Sequence, residues 1–252
     1  MKKSHFQFVL VISLGALLCF AFGCQKKAER AEVEETKHNF GELEALAHKY
    51  GTDKGNSSHH YTETYEYFFY PIKYSAKKIF EIGIEQGASL EMWRDYFPNA
   101  VIYGIDIFDT SKLNSDTIKT FVADQGNRKN LQNFINTFGG EFDIILDDGG
   151  HMMELQQVSF GYLFKYVKPG GYYIIEDVHT SVYSIYHEDY GATANGENTT
   201  LTMIDNFVRT GTIKSKYMNP EEEKYLIANI EYCNLFSTDM GYSITCIFKK
   251  KK

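Results

Sequence analysis

The sequence predicts an α/β fold, a doubly wound sheet that is mostly parallel with an antiparallel C-terminal strand. Three observations predict it. Short apolar runs recur without polar alternation, as in strands covered on both faces. Stretches of helical spacing fall between them. Acidic residues stand at the carboxyl ends of the runs, where doubly wound sheets bind their ligands.

Leu43, Leu46, Ala47 and Tyr50 recur at helical spacing and Gly51 follows as a stop, so a short helix precedes the sheet. Ile79-Phe80-Glu81-Ile82-Gly83 is a β-rich run ended by glycines, and the stretch through Leu90, Trp93 and Tyr96 is a helix that Pro98 closes. Val101-Ile102-Tyr103-Gly104-Ile105-Asp106, Thr120-Phe121-Val122-Ala123-Asp124 and Phe142-Asp143-Ile144-Ile145-Leu146-Asp147 are the next three strands. A helix through Leu155, Val158, Leu163 and Phe164 follows, and Pro169-Gly170-Gly171 turns into a fifth strand, Tyr172-Tyr173-Ile174-Ile175-Glu176. Residues 183–196, rich in Tyr, Gly and Asn, read as a loop over the ligand site; 201–208 is helical, and 230–236 and 243–248 are strands.

The 252 residues accommodate one domain of ordinary size, and 43% hydrophobic content supplies its core. A net charge of -7 disfavours a nucleic-acid partner and suits a cationic small molecule or a metal. Lys249 to Lys252 read as a solvated basic tail, and Cys233 and Cys246 as small buried hydrophobes. Met1-Lys2-Lys3 followed by the apolar run 6–22 has the charged start and hydrophobic centre of a secretory signal or a membrane anchor. Ala21-Phe22-Gly23-Cys24 resembles a bacterial lipoprotein cleavage site with Cys24 as the lipidated residue, although Ala21 stands where that motif usually has Leu. The alternative is an uncleaved anchor, since about 17 apolar residues are just enough to span a bilayer. Lysines flank both ends of the run, so the side of the membrane stays open. The organisation expected is a signal or anchor at 1–24, a charged tether at 25–39 and one domain at 40–252.

Two constellations carry chemistry. Glu81-Ile82-Gly83-Ile84-Glu85-Gln86-Gly87-Ala88-Ser89 is a strand, glycine turn and helix start, with Asp106 ending the next strand. Glycines there let a ligand approach the backbone, and an acid one strand later takes the hydroxyls of a ribose. With Asp124 in register, this predicts a nucleoside site. Asp147-Asp148-Gly149-Gly150-His151 and Glu176-Asp177-Val178-His179 then place four acids on two adjacent strand ends. So much like charge needs a cation, and hard oxygen donors suit Mg²⁺. His151 lies within reach as a general base for a hydroxyl made acidic by the metal; His179 ranks second. Tyr50-Gly51-Thr52-Asp53-Lys54-Gly55 and His59-His60-Tyr61 read as a polar lid over the cofactor, the adjacent histidines pointing opposite ways.

The joint occurrence of Tyr50-Gly51-Thr52-Asp53-Lys54-Gly55, His60-Tyr61-Thr62, Gly87-Ala88-Ser89-Leu90, Met92-Trp93-Arg94-Asp95-Tyr96-Phe97-Pro98, Asp124-Gln125, Asp147-Asp148-Gly149-Gly150-His151 and Glu176-Asp177-Val178-His179-Thr180-Ser181 resembles the macrolide sugar O-methyltransferases. These belong with the mycinamicin methyltransferases and, more distantly, the cephalosporin hydroxylase-like group. The resemblance implies a Rossmann-like methyltransferase domain, S-adenosylmethionine as donor, Mg²⁺ on Asp148, Glu176 and Asp177, and His151 as the base. The donor site expected comprises Glu81, Gly83, Gly87, Ser89, Asp106, Asp124, Gln125 and Asp147. Gly150 stands where the family commonly has Ser, and the match fades after Tyr183, which leaves the acceptor, a sugar hydroxyl of a small molecule, without a residue-level expectation. Two other classes are weighed against this one: a metal-dependent hydrolase, which leaves the glycine turn unexplained, and a membrane-tethered binding protein without turnover, which leaves His151 among the acids unexplained.

Overall fold

The computed structural model describes residues 40–237 and 243–252. The signal or anchor and the tether expected at the N-terminus lie outside these residues. Among the described residues, no helix is long and apolar enough to cross a membrane.

Helices α1 (Glu42–Tyr50) and α2 (Thr62–Phe69) precede strand β1 (Lys78–Ile82). There follow α3 (Ala88–Tyr96), β2 (Val101–Asp106), β3 (Ile118–Val122), α4 (Arg128–Phe138), β4 (Phe142–Asp147), α5 (Met153–Leu163) and β5 (Val167–Ile175). The chain ends through α6 (Tyr183–Tyr186), α7 (Thr200–Thr210), α8 (Pro220–Asn229), β6 (Ile230–Ser237) and β7 (Ile244–Lys250). The seven strands form one sheet in the order β3-β2-β1-β4-β5-β7-β6. Strands β1 to β5 pair in parallel, and β7 runs antiparallel to both neighbours. The expected architecture is therefore present, with β7 as the antiparallel strand.

Alternation along each buried strand divides the core into two layers. Phe80 points to one face and stacks on Phe134 of α4 with ring centroids 4.4 Å apart, while its neighbour Ile79 joins the opposite layer with Trp93, Leu43 and Tyr65. Burying apolar surface on both faces is what the uninterrupted apolar runs encode, at roughly 25 cal/mol per Å² removed from water. The register places the functional end. Ile82 pairs with Ile105 on one side and Asp147 on the other, and Asp147 pairs with Ile175. The next residue out on each strand is Gly83, Asp106, Asp148 and Glu176, so these emerge side by side at the carboxyl edge.

Three expectations are revised. Helices α2, α4, α6 and α8 were not foreseen, although Asn219-Pro220-Glu221-Glu222 is a capping box with proline at the helix start. The basic cluster is not a tail: Lys250 ends β7, buried, and its ammonium donates to the carbonyls of Lys165 and Val167. Residues 183–196 fold back on the start of α5, where the Met153 amide donates to the Tyr190 carbonyl at 2.9 Å, and none of them lines the cleft described below. Cys233 and Cys246 are free thiols on β6 and β7, Cys246 fully buried as expected.

Candidate functional site

A cleft of about 800 Å³ opens over the carboxyl ends of β1, β2 and β4. Its size lies in the range of small-molecule sites. Gly83, Ser89, Asp106, Asp124 and Gln125 line it from the expected donor set, together with Tyr50 to Lys54 and with Asp148, His151 and Asp177. Gly83 has φ 87, and a Cβ there would overlap the Asp148 carbonyl, so the turn accepts no other residue. Asp106 binds the turn itself: its carboxylate accepts from the amides of Ile84 at 2.9 Å, Glu85 at 3.1 Å and Phe108 at 3.0 Å. It reaches the cleft as well, but three of its acceptor positions hold the loop.

Glu81, Gly87 and Asp147 do not line the cleft. Gly87 caps α3. Glu81 is buried, accepting from Ser89 at 2.8 Å and from the Trp93 indole at 3.1 Å, and burial pushes its carboxyl up to about 7 against the opposing charge of Lys54. Asp147 points into the core, where Gln125 donates to it at 2.9 Å and the hydroxyls of Ser159 and Tyr173 also donate. Gln125 in turn accepts from the Gly150 amide at 2.7 Å, so Asp147 acts on the site by holding the turn that carries His151. Gly150 fits that turn because a Cβ would collide with Leu155, which takes up the room a larger residue would need.

Burial raises Asp147 to about 6 despite those hydrogen bonds. A carboxyl whose folded pKa lies above its unfolded one favours folding below the ordinary carboxylate range and loses that contribution as pH rises through 6. Asp147→Asn, which keeps an acceptor for Gln125, is therefore expected to gain stability relative to the unsubstituted protein, by on the order of 3 kcal/mol between about pH 4 and pH 7. Paired denaturant titrations at the two pH values measure this; a constant difference would contradict it.

The acids gather beside the cleft. Ligand atoms of Asp148, His151 and Asp177 lie within 4.8 Å of one another. His151 Nε2 is 3.6 Å from Asp177 Oδ2, and its Nδ1 is buried without a hydrogen-bond partner. Glu176, 2% exposed, sits behind them with Oε1 likewise unpartnered. Sequence reasoning did not assign Lys54 a place here. Only 1% exposed, its ammonium is bonded to Asp148 and lies 3.0 Å from Glu176 and 3.3 Å from Glu81, joining three consecutive strands of the sheet. The segment read as a polar lid is thus an internal wall. Burial opposes the Lys54 charge, but the three carboxylates hold its pKa well above the usual lysine value.

The same burial raises Glu176 and Asp148, in each case more than Lys54 lowers it. Asp177 differs: burial pushes it up, yet His151, His59 and the Tyr61 hydroxyl outweigh that and leave it below the usual range. Tyr61 donates to Asp177 Oδ1 at 2.8 Å. Of the adjacent histidines, His59 lies 3.7 Å from Asp177 while His60 is exposed and bonds Asn56; they do diverge, but at a turn in which His60 has φ 60 and not along an extended chain. His179 is buried and accepts from the Ile244 amide at 3.3 Å, tying the start of β7 to this corner.

No family model matches the sequence. Among curated proteins, the chain is 28% identical over 231 residues to L-olivosyl-oleandolide 3-O-methyltransferase of Streptomyces antibioticus, covering 89% of this chain and 60% of that protein. It is 37% identical over 169 residues to 8-demethyl-8-(2-methoxy-alpha-L-rhamnosyl)-tetracenomycin-C 3'-O-methyltransferase of Streptomyces olivaceus, covering 64% and 42%. The mycinamycin-pathway methyltransferase MycE, solved in complex with Mg, SAH and mycinamycin VI, superimposes with a TM-score of 0.70 at 28% identity over 84% of this chain and 55% of that one. The chain thus spans about half the length of the relatives it matches. Motifs, strand order and these matches agree: over the described residues the chain is similar in sequence and fold to the macrolide sugar O-methyltransferases of the class I S-adenosylmethionine methyltransferases.

Proposed function

We propose that the protein is a magnesium-dependent O-methyltransferase that uses S-adenosylmethionine to methylate a hydroxyl of a sugar or a glycosylated small molecule. The observation that carries this reading is the continuity of the cleft, which runs from the glycine turn at Gly83 to the cluster of Asp148, His151 and Asp177. A hydrolase needs no such turn, and a passive binding protein needs no base among the acids.

The residues fit both groups. The turn at Gly83 leaves its backbone open to a nucleoside, and Ser89, Asp106, Asp124 and Gln125 stand around it. Asp148, Glu176 and Asp177 offer the hard oxygen donors that suit Mg²⁺, and the unpartnered Glu176 Oε1 is a buried acceptor in need of a cation. When bound, S-adenosylmethionine supplies an electrophilic methyl group and magnesium a double positive charge that favours an ionised hydroxyl beside it. His151 is placed to take the hydroxyl proton, and Asp177, kept ionised by its neighbours, stabilises the imidazolium that results. The cleft walls hold acceptor and donor in line. Positioning of this kind is worth on the order of 7 to 11 kcal/mol.

Titration calorimetry of the full chain with S-adenosylmethionine, with and without Mg²⁺, followed by methyl transfer to glycosylated acceptors, tests the proposal. Donor binding and metal-dependent transfer are expected; a protein that binds no donor would sink it. The composition of residues 1–24 supports a membrane location for the same enzyme. Cell fractionation is expected to bring the domain down with membranes, and recovery wholly in the soluble fraction would refute that location.

A further inference from the structure

We propose that Tyr61 and Lys54 are positioning residues of the metal site, through which the segment before the sheet holds from behind all three carboxylates assigned to magnesium. The inference rests on the metal reading above. Neither residue belongs to the sheet or to a strand end; both come from the stretch between α1 and α2. Lys54 takes Asp148 and Glu176, and Tyr61 takes Asp177.

The Tyr61 contact is the more selective of the two. Asp177 has φ 54, a backbone conformation unusual for a residue with a side chain, so its orientation depends on what its oxygens bond to. Tyr61 claims Oδ1, and this turns Oδ2 toward His151 and the cluster with Asp148. The Tyr61 ring is fixed independently of its hydroxyl: it is 1% exposed, stacks on His59 at 5.2 Å and packs against Tyr65 at 5.7 Å. Removing the hydroxyl therefore frees one carboxylate and leaves the packing in place. Partners that orient metal ligands in this way typically change metal affinity or activity by about 10- to 100-fold when removed.

The test compares the unsubstituted full chain, Tyr61→Phe and Tyr96→Phe by calorimetric titration with Mn²⁺, with binding of S-adenosylhomocysteine and thermal melting measured in parallel. Tyr96 is the control because its buried hydroxyl has no hydrogen-bond partner and lies on α3, outside the cleft. Tyr61→Phe is expected to weaken Mn²⁺ binding about 10- to 100-fold, with S-adenosylhomocysteine affinity within about twofold of the original and Tyr96→Phe unchanged in both. Mn²⁺ affinity retained within about twofold in Tyr61→Phe overturns the inference while the metal reading stands. Equal losses in both variants overturn it too, since they would mark a general response to a missing hydroxyl. Absence of Mn²⁺ binding in the unsubstituted chain overturns the metal reading, and the inference with it.

Discussion

His151→Ala is expected to lower turnover by about 10²- to 10⁴-fold while leaving donor affinity within about twofold. The asymmetry follows from where the side chain stands. It faces Asp177 and the acid cluster, whereas the glycine turn is held by Asp106 through hydrogen bonds in which His151 takes no part. Its backbone is held separately, with the carbonyl accepting from Thr180 at 2.9 Å and the preceding amide bound by Gln125. Truncation therefore removes a base and preserves the turn. Single-turnover methyl transfer, set beside donor calorimetry, separates the two effects; a parallel fall in both would identify a histidine whose work is structural.

Lys54→Met is expected to have the largest effect on stability. It leaves Glu81, Asp148 and Glu176 facing one another without their shared cation, and breaking a buried ion pair from one side costs about 3 to 5 kcal/mol. The acids would respond by taking up protons. Because Lys54 also orients Asp148 and Glu176 for the ion, added Mg²⁺ is expected to raise the melting temperature of the variant less than that of the parent, ligand binding stabilising the folded state in proportion to affinity. Melting curves in chelator and in Mg²⁺ decide the matter. Equal shifts in the two proteins would mean that the ion and the ammonium do not share carboxylates.

The parallel strands and the acidic carboxyl edge were legible because uninterrupted apolar runs end in glycine or acid at each strand. Helix α8 carried an equally plain signal in Asn219-Pro220-Glu221-Glu222 that the apolar pattern alone passes over. Asp147 and Asp148 are adjacent in sequence, yet the pleat sends one into the core and the other to the cleft, a distinction that sequence spacing expresses only once the register is known. Lys54 was the least legible residue. A lysine in a stretch of Gly, Thr and Asp looks solvated, and only the charge balance of four clustered acids points to a buried partner. His151 and Asp177 were found as residue types in the right order, but their left-handed backbones, at φ 52 and φ 54, belong to a geometry that residue identity does not announce.

Strand β7 follows β6 in the chain but lies inside it, between β5 and β6. During synthesis β5 thus waits with one edge unpaired until β7 has emerged, and its pairing with β7 closes a long loop before any contact rewards it. Glu176 and Asp177 hang from the end of that late-paired strand, and Thr245 of β7 bridges the Ile175 carbonyl to the Tyr65 hydroxyl just beneath them. Capture of an ion by the proposed ligands Glu176 and Asp177 is therefore expected only after β7 has docked beside β5, and a chain in which that strand is still unpaired presents its acids without the geometry to chelate.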